Sequence, residues 1–434
     1  MKYAKSYLVF ITLLFFYSQK LIAQAGTPDL SFGDSGIVIA KEICNGDQSL
    51  IQPDGKILVL CSSNGLYQFK PDGSFDSSFG INGKAIIDTH QKLYSQNNDF
   101  ALQPDGKIVC TGEYYAKNGN ILSGVYRVNP NGVMDTSFGY EGMDSVRTDN
   151  ISYTTGIVIQ PDGKIVVSGD SRKSVYDDNR TFIYRMMPDG GLDPTFGENG
   201  IVIIHHVESI NSVGLIIRPN GKFVLGSNYD VYGGSDASYE LESFNPDGSL
   251  DASFGENGIA EFSFKVSKMN AFVLGNDGKI TCAGFGGDTL VGMSLCRFNE
   301  NGTIDESFGN KGGVSTPYLN QHGSEYLGVT LQNDGKILAC GYSFIFTYIP
   351  NPLIIARYLE NGNLDPSFGV NGINIITDPP NNFCGSSVHN LLNGKIIVTG
   401  FCFGNFGPFI LLSRFNGDNV LASNFKEVKA IQEN

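Results

Sequence analysis

The segment Asp193-Pro194-Thr195-Phe196-Gly197-Glu198-Asn199-Gly200 decides the fold of this chain, because its pattern returns throughout the 434 residues. The shared signature is Asp-x-x-Phe-Gly-x-x-Gly, and its phenylalanines are Phe32, Phe79, Phe138, Phe196, Phe254, Phe308 and Phe368. Successive copies are 47, 59, 58, 58, 54 and 60 residues apart. A repeat of this length predicts one recurring supersecondary unit rather than two or three unrelated domains.

The sequence between two signatures is typical of strands. Apolar, β-branched runs occupy 157–160, 165–169 and 181–185, and glycine- or proline-rich turns separate them. A further strand is expected after the signature, which gives four strands per unit. Helical periodicity is absent, and the repeat is too long for a parallel β-helix. We therefore predict an all-β fold, a seven-bladed β-propeller of four-stranded antiparallel blades.

Two turns recur in each unit. The first is Asp54-Gly55, Asp105-Gly106, Asp162-Gly163, Asn220-Gly221, Asp277-Gly278, Asp334-Gly335 and Asn393-Gly394. The second is Asp72-Gly73, Asn131-Gly132, Asp189-Gly190, Asp247-Gly248, Asn301-Gly302 and Asn361-Gly362. We expect two-residue hairpin turns whose central residues have positive φ. Because Asn replaces Asp at both sites, backbone conformation rather than metal ligation is the predicted requirement.

The pattern Leu-Asp-x-Ser-Phe-Gly-x-x-Gly, with Gln-Pro-Asp-Gly-Lys-Ile and Arg-x-x-Pro-Asp-Gly, resembles the delta-60 repeat, a bacterial propeller family of undefined function. The resemblance covers residues 29 to about 425. It implies an exported propeller and brings no catalytic residues. The unit is also similar to that of NHL-type propellers. That similarity implies that the strand before Asp-Gly-Lys is innermost and the strand after the signature outermost.

This strand order predicts how the ring closes. The chain begins with an outer strand at 36–40, which would complete the last blade and leave no exposed sheet edge. A rival strand is available in the tail, where 421–425 is a decayed copy of the signature. We favour the N-terminal strand because Phe425 lacks the following glycines. The propeller is expected at 26–425, between a signal peptide at 1–25 and a tail at 426–434, with units that begin near Asp29, Asp76, Asp135, Asp193, Asp251, Asp305 and Asp365.

The N-terminus predicts export. Lys2 and Lys5 precede an apolar run at 7–17 that is too short to span a bilayer, and Ala23-Gln24-Ala25 resembles a cleavage site. We expect a secreted, periplasmic or cell-surface monomer without a membrane span. The net charge of −14 argues against nucleic acid as a partner.

The cysteines and histidines suggest no metal or cofactor. The even count of eight cysteines would allow disulfides in an exported protein. However, Cys61, Cys110, Cys282 and Cys340 lie in apolar segments, so mostly free, buried thiols are favoured over a disulfide framework. No Cys-x-x-Cys pair is present, and the pair His205-His206 has no further ligand at suitable spacing.

The signature aspartates allow two interpretations. A ring of seven carboxylates suggests calcium, whereas turn capping or pairing with an arginine eight residues earlier would be structural. The arginines are Arg127, Arg185, Arg297 and Arg357, but Gln68 and Ser243 occupy that place in two units. We favour the structural interpretation. Gly33-Asp34-Ser35-Gly36 resembles a serine-protease motif, yet it is one more copy of the signature, so no catalytic residue is predicted.

Strand alternation places both short turns of each unit on one face and the two longer connections on the other, the long-loop face. Aromatic residues of these connections are the candidate ligand-binding set: Tyr114, Tyr115, Tyr176, Tyr229, Tyr232, Phe344, Phe346, Tyr348, Phe403 and Phe406. Packing between loops is an equally weighted alternative. The leading hypothesis is a non-catalytic module that binds an extracellular protein or glycan. A carbohydrate-active lyase or hydrolase with acids in the central funnel and an architectural surface protein remain alternatives.

Overall fold

The computed structural model describes thirteen segments of the chain. They are 24–44, 46–61, 65–86, 99–174, 180–204, 209–230, 238–264, 266–287, 291–317, 323–343, 351–377, 381–404 and 407–418. Within these segments every regular element is a strand. None of the described residues forms a helix long and apolar enough to cross a bilayer. The signal peptide up to residue 23, His205-His206 and the tail strand at 421–425 lie outside the described residues.

The strands are short and numerous. Their bounds are β1 Ile37–Ile43, β2 Gly46–Ile51, β3 Ile57–Cys61, β4 Gly65–Phe69, β5 Phe100–Leu102, β6 Ile108–Tyr115, β7 Ile121–Val128, β8 Met143–Val146, β9 Ile151–Ile159, β10 Ile165–Arg172, β11 Arg180–Met186, β12 Ile201–Ile204, β13 Ser209–Ile217, β14 Phe223–Asp230, β15 Ser238–Phe244, β16 Ile259–Phe262, β17 Val266–Leu274, β18 Ile280–Gly287, β19 Gly292–Phe298, β20 Gly313–Thr316, β21 Ser324–Leu331, β22 Ile337–Ser343, β23 Leu353–Tyr358, β24 Ile373–Ile376, β25 Asn382–Asn390, β26 Ile396–Gly404 and β27 Gly407–Phe415.

The strands pair almost entirely in antiparallel fashion with their neighbours in sequence. Three four-stranded sheets are β13–β16, β17–β20 and β21–β24, and β2–β4 form a three-stranded sheet. An eight-stranded sheet consists of two halves, β5–β8 and β9–β12, which one parallel pair between Ile121 and Ile151 joins. The last sheet has the order β1-β27-β26-β25. The predicted all-β fold with four-stranded antiparallel sheets is confirmed.

Neighbouring sheets contact each other through their first strands. We number the repeat units 1 to 7 by their Asp-Gly-Lys or Asn-Gly-Lys turns, so that unit 1 contains β2–β4 and unit 7 contains β25–β27 with β1. In units 4 to 7 the strand before this turn lies at one edge of its sheet, and the strand after the signature lies at the other. The first strands contact one another in the series β2, β5, β9, β13, β17, β21 and β25, and β25 also contacts β2.

The hydrophobic core lies between consecutive sheets. The signature phenylalanines are at most 1% exposed. Phe138 of unit 2, for example, packs with Val109 of its own unit and with Ile165 and Phe182 of unit 3. Full burial of such a side chain stabilises the fold by about 1.5–3 kcal/mol. The signature therefore repeats because each copy fills the space between two sheets.

The turn before each conserved lysine differs from the prediction. In unit 1, Gln52 N donates to Lys56 O at 2.9 Å, and Gly55 N donates to Gln52 O at 2.8 Å. Gly55 has a φ of 84°, while Asp54 is absent from the positive-φ residues. The loop is thus three residues long, a type I turn followed by a left-handed glycine. The predicted two-residue turn was wrong, because a type I′ turn needs positive φ at both central residues and only the glycine has it. The second recurring turn has the same three-residue form, since Asn129 N donates to Val133 O at 2.8 Å.

Two-residue turns occur instead inside the signature. Glu198 N donates to Ile201 O at 2.8 Å, and Ile201 N donates back to Glu198 O at 3.2 Å. The central residues Asn199 and Gly200 have φ values of 54° and 95°, as a type I′ turn requires. Gly197 is also left-handed, and a Cβ there would lie 2.4 Å from Ile201 O. The final Gly-x-x-Gly of the signature therefore encodes a tight hairpin.

The two ends of the chain share the last unit. Strand β1 pairs with β27, and Gly26 N donates to Asn416 O at 2.7 Å. The same bond occurs within the uninterrupted turn of unit 2, where Gly132 N donates to Asn129 O at 2.8 Å. Asn416 N also donates to Thr27 O at 2.8 Å. The N-terminal segment therefore supplies the strand at one edge of this sheet and half of one turn of unit 7.

One disulfide departs from the expected thiols. Cys44, just after β1, is bonded to Cys61 at the end of β3, with a Cα–Cα distance of 5.4 Å. The prediction for Cys61 was wrong, because the turn from β1 into β2 brings the two strand ends within disulfide range. The expected buried thiols are found at Cys110, Cys282, Cys296 and Cys340.

Candidate functional site

The signature aspartates lie on the short-turn face and are fully engaged in their own units. Asp135 Oδ1 accepts hydrogen bonds from Ser137 N at 3.2 Å and Ser137 Oγ at 2.6 Å. Its Oδ2 accepts from Arg127 Nε at 2.7 Å and lies 3.0 Å from Lys107 Nζ. Burial alone would raise the pKa of Asp135, but the Ser137 and Lys107 hydrogen bonds and the Arg127 charge lower it.

The lysine partner recurs and was missed in the sequence. Further pairs, 2.7–3.4 Å apart, are Lys56–Asp76, Lys164–Asp193, Lys222–Asp251, Lys279–Asp305 and Lys395–Asp29. The fixed spacing of the Gly-Lys turn was the available signal. No group of three or more His, Cys, Asp or Glu side chains in the described segments is placed to hold a metal. The aspartates thus make the turn-capping and arginine contacts that the structural interpretation expects.

The paired arginines also join neighbouring units. The guanidinium of Arg297 lies 4.6 Å from the Phe308 ring centroid, and its Nη1 donates to Glu360 O of the next unit at 2.6 Å. Equivalent arginine–ring contacts are Arg127–Phe138, Arg185–Phe196, Arg357–Phe368 and Arg414–Phe32. Ion pairs and hydrogen bonds therefore connect neighbouring units on this face wherever the strand arginine is kept.

The long-loop face contains the predicted aromatic set, of which three side chains are described. Tyr114 and Tyr115 end β6, and Phe403 lies near the end of β26. Tyr115 and Phe403 are 42% and 45% exposed. Tyr229 ends β14, and nothing further is described of its side chain. The other candidates lie outside the described residues: Tyr176, Tyr232, Phe344, Phe346, Tyr348 and Phe406.

A second set on this face was missed because it lies within strands. In units 2 to 7 the sixth residue of the second strand lies one to three residues before the end of that strand, and its type changes from unit to unit. Units 2, 3 and 4 place Glu113, Asp170 and Asn228 there, whereas units 5, 6 and 7 place Phe285, Tyr342 and Phe401. Aligning the units on their Gly-Lys turns would have exposed this division into a polar and an aromatic half.

The polar half contains two carboxyl groups whose pKa is raised. Burial raises the pKa of Glu113 to about 7, and Tyr115 Oη donates a 3.5 Å hydrogen bond to its Oε2. Burial also raises the pKa of Asp170 to about 6, although Ser212 N donates to its Oδ2 at 3.0 Å and Thr181 Oγ1 to its Oδ1 at 3.2 Å. Each carboxyl group is therefore able to hold a proton near neutral pH.

The aromatic half is organised around one carboxylate. Glu325 Oε1 accepts a 2.7 Å hydrogen bond from Tyr342 Oη, and its Oε2 accepts one of 2.8 Å from Asn270 Nδ2. Lys268 Nζ lies 3.7 Å from the same Oε2. These contacts fix Tyr342 and connect the first strands of units 5 and 6. The carboxylate is thus a positioning group for the aromatic surface.

A serine–histidine pair joins units 1 and 7. Ser49 Oγ lies 2.8 Å from His389 Nε2, and Thr399 Oγ1 donates to Ser49 Oγ at 2.6 Å. Ser49 is 4% exposed, and burial lowers the pKa of His389 to about 4. Among the described residues no side chain hydrogen-bonds to the other imidazole nitrogen, and a hydrolytic triad requires such a partner. It links two strands that are 340 residues apart.

Comparison with known families agrees with this architecture. Five segments match the sequence profile of a domain of unknown function (DUF5122) described as a β-propeller, namely 52–79, 103–138, 160–196, 275–308 and 332–368. The matched segments cover about two fifths of the chain, and over them the repeats resemble that β-propeller repeat. Each match runs from a Gly-Lys turn to the next signature. No curated protein sequence matches significantly.

Solved structures resemble this chain in fold. Raptor from Chaetomium thermophilum is 8% identical with a TM-score of 0.51, over 88% of this chain and 29% of that one. A GH74 xyloglucanase from Xanthomonas campestris is 12% identical with a TM-score of 0.50, over 84% of this chain and 52% of the enzyme. The chain thus spans about a third and about half of these two proteins. At such identities the likeness concerns the fold alone.

Proposed function

We propose that the protein is a closed, seven-bladed propeller that acts outside the cytoplasm and binds a protein or glycan through its long-loop face without catalysis. The proposal of a closed ring rests on the continuous series of contacts among the first strands, from β2 to β25 and back to β2. The shared unit 7 supports closure by the N-terminal strand. The Cys44–Cys61 disulfide agrees with export, since disulfides persist in oxidising compartments.

The observation that carries the binding proposal is the contrast between the two faces. On the short-turn face, the signature carboxylates and arginines are consumed by contacts within the fold. On the long-loop face, exposed Tyr115 and Phe403 stand at the ends of rigid strands, beside loops that vary between units. Aromatic side chains on a rigid scaffold bury a large area on binding at little entropic cost.

Retention on arrays tests this proposal. Mature protein is applied to arrays of glycans and of cell-envelope proteins, beside a Tyr115→Ala/Phe403→Ala variant and a triple variant of Tyr229, Tyr232 and Phe346. Leu392→Ala, at a 78% exposed side chain in a short turn of unit 7, is the matched control. We expect retention of wild type and Leu392→Ala and its loss in the aromatic variants. Equal retention of all four proteins would contradict binding through this face.

A second candidate is a carbohydrate-active hydrolase or lyase, and the observation that favours it is the pair Glu113 and Asp170. A glycosidase uses one carboxyl group that stays protonated near neutral pH and a second carboxylate nearby. These residues hold equivalent places in adjacent units, and burial raises both pKa values. If wild type cleaves a polysaccharide in a substrate screen, Glu113→Gln should lower the rate by about 10²–10⁴. The absence of turnover across the screen would favour the binding module.

A further inference from the structure

Unit 4 departs from the repeat at two coupled positions. Ser243 replaces the strand arginine that pairs with the signature aspartate, and Arg218 replaces the glutamine before the turn. Units 2, 3 and 6 keep both consensus residues, as in Gln160 and Arg185 of unit 3. The segments that match the family profile omit 218–254. A paired change of this kind preserves the guanidinium but moves it to another strand.

The displaced guanidinium keeps its ring contact and loses its hydrogen bonds. Arg218 lies 4.9 Å from the Phe254 centroid, as Arg185 lies 4.8 Å from that of Phe196. Arg185 donates from Nε to Asp193 Oδ2 at 2.8 Å. In Arg218, by contrast, Nε and Nη2 are buried without a hydrogen-bond partner. An arginine that is only 7% exposed with two unmet donors is costly to maintain.

A cavity borders this arginine. It has a volume of about 500 Å³ and is lined by Arg218, Lys222, Ser253, Asn299, Asn301 and Thr303, among others. Two acidic residues, Asp251 and Glu300, also line the cavity. Asp251 is already paired, because Lys222 Nζ donates to its Oδ2 at 2.7 Å and Ser253 Oγ to its Oδ1 at 2.6 Å. Glu300 is exposed at the edge and is the remaining negative group.

We propose that this cavity on the short-turn face binds the carboxylate of a small organic acid through Arg218. The Nε and Nη2 donors of a guanidinium form a planar fork that matches the two oxygens of a carboxylate. Because both nitrogens are buried, the proposal requires the guanidinium to turn toward the cavity to meet a carboxylate. Ser253, Asn299 and Asn301 hydrogen-bond within the fold and give the cavity a polar wall, which suits the hydroxyl groups of a sugar acid. The site is separate from the long-loop face and independent of its proposed function.

Calorimetric titration with sodium D-glucuronate tests the site, with D-glucose as the neutral control. The double variant Arg218→Gln/Ser243→Arg restores the residue types of units 2, 3 and 6, and its thermal unfolding verifies the fold. We expect saturable binding of glucuronate but not glucose by wild type, at least a tenfold loss in the double variant, and tighter binding by Glu300→Gln. The proposal would be overturned if the wild-type protein did not bind glucuronate, or if the double variant folded and bound glucuronate with unchanged affinity.

A second arm distinguishes the source of the carboxylate. Oligogalacturonate offers the same group on a polymer, whereas glucuronate offers it on a free acid. Tighter binding of the oligomer, lost in the double variant, indicates a uronic-acid polysaccharide. Tighter binding of the monomer, with the same loss, indicates a free acid.

Discussion

Arg414 Nε donates a 2.7 Å hydrogen bond to Asp29 Oδ2, although the two residues are 385 positions apart. Arg127 makes the same 2.7 Å bond to Asp135 across only eight positions. In both cases the guanidinium also lies over the signature phenylalanine, at 4.4 Å from the Phe32 centroid in unit 7. The joint between the chain ends therefore reproduces the bonding of an uninterrupted unit.

Arg414→Gln tests whether this joint stabilises the fold as an internal joint does. A charge-assisted hydrogen bond of this kind contributes about 1–3 kcal/mol. We expect Arg414→Gln and the internal variant Arg297→Gln to lower the free energy of unfolding by comparable amounts in urea titrations. If Arg297→Gln lowered the free energy of unfolding and Arg414→Gln did not, the contact between the chain ends would not stabilise the fold.

The disulfide between Cys44 and Cys61 secures the N-terminal strand to unit 1. Because it closes a loop between residues 17 positions apart, its removal should cost about 2–4 kcal/mol. We expect reductant to lower the melting temperature of wild type and to leave a Cys44→Ala/Cys61→Ala variant unchanged. If reductant lowered the melting temperature of both proteins equally, the stabilisation would not come from the Cys44–Cys61 disulfide.

The type I′ turns of the signature offer a stabilising substitution. Glu141 occupies the left-handed position with a φ of 54°, where four other units use asparagine. Asparagine tolerates this conformation better than glutamate. Glu141→Asn should raise the free energy of unfolding by about 0.5–1 kcal/mol. The control Glu198→Asn, one position earlier in the turn of unit 3, should give no gain.

Stability should fall both as the pH rises above about 5 and as it drops below about 4. Burial raises the pKa of both Glu240 and Glu242 on β15, and the charge of Glu240 adds to the effect on Glu242. Their stabilising contribution is present below the unfolded pKa near 4.5 and is lost as the pH rises through the folded values. The signature aspartates, with a lowered pKa such as about 2 in Asp76, lose theirs as the pH falls below 4.

Urea unfolding at pH 3, 5 and 8 measures both effects. We expect a maximum near pH 5, and the decline toward pH 8 should be no steeper than about 1.4 kcal/mol per pH unit for each proton released. Glu242→Gln should flatten that decline, whereas exposed Glu198→Gln should leave it unchanged. A decline that persists unaltered in Glu242→Gln would assign it to other groups.

Sequence periodicity was sufficient for the unit, its four strands and the order of strands in each sheet. The wrong turn type shows its limit, since an Asp-Gly pair such as Asp54-Gly55 fits both a two-residue turn and the end of the three-residue loop that the structure contains. Contacts between units were harder to predict from the sequence. The Ser49–His389 pair and the Cys44–Cys61 disulfide depend on which strands the fold brings together, and their sequence spacing carries no signal for that.

Hydrogen–deuterium exchange of the mature protein, alone and with the ligand that it retains on an array, tests the central claim most directly. Binding through the long-loop face predicts slower exchange at the ends of β6 and β26, near Tyr115 and Phe403, and unchanged exchange in the short turns. Protection confined to the short turns, with unchanged exchange at Tyr115 and Phe403, would contradict the proposed function.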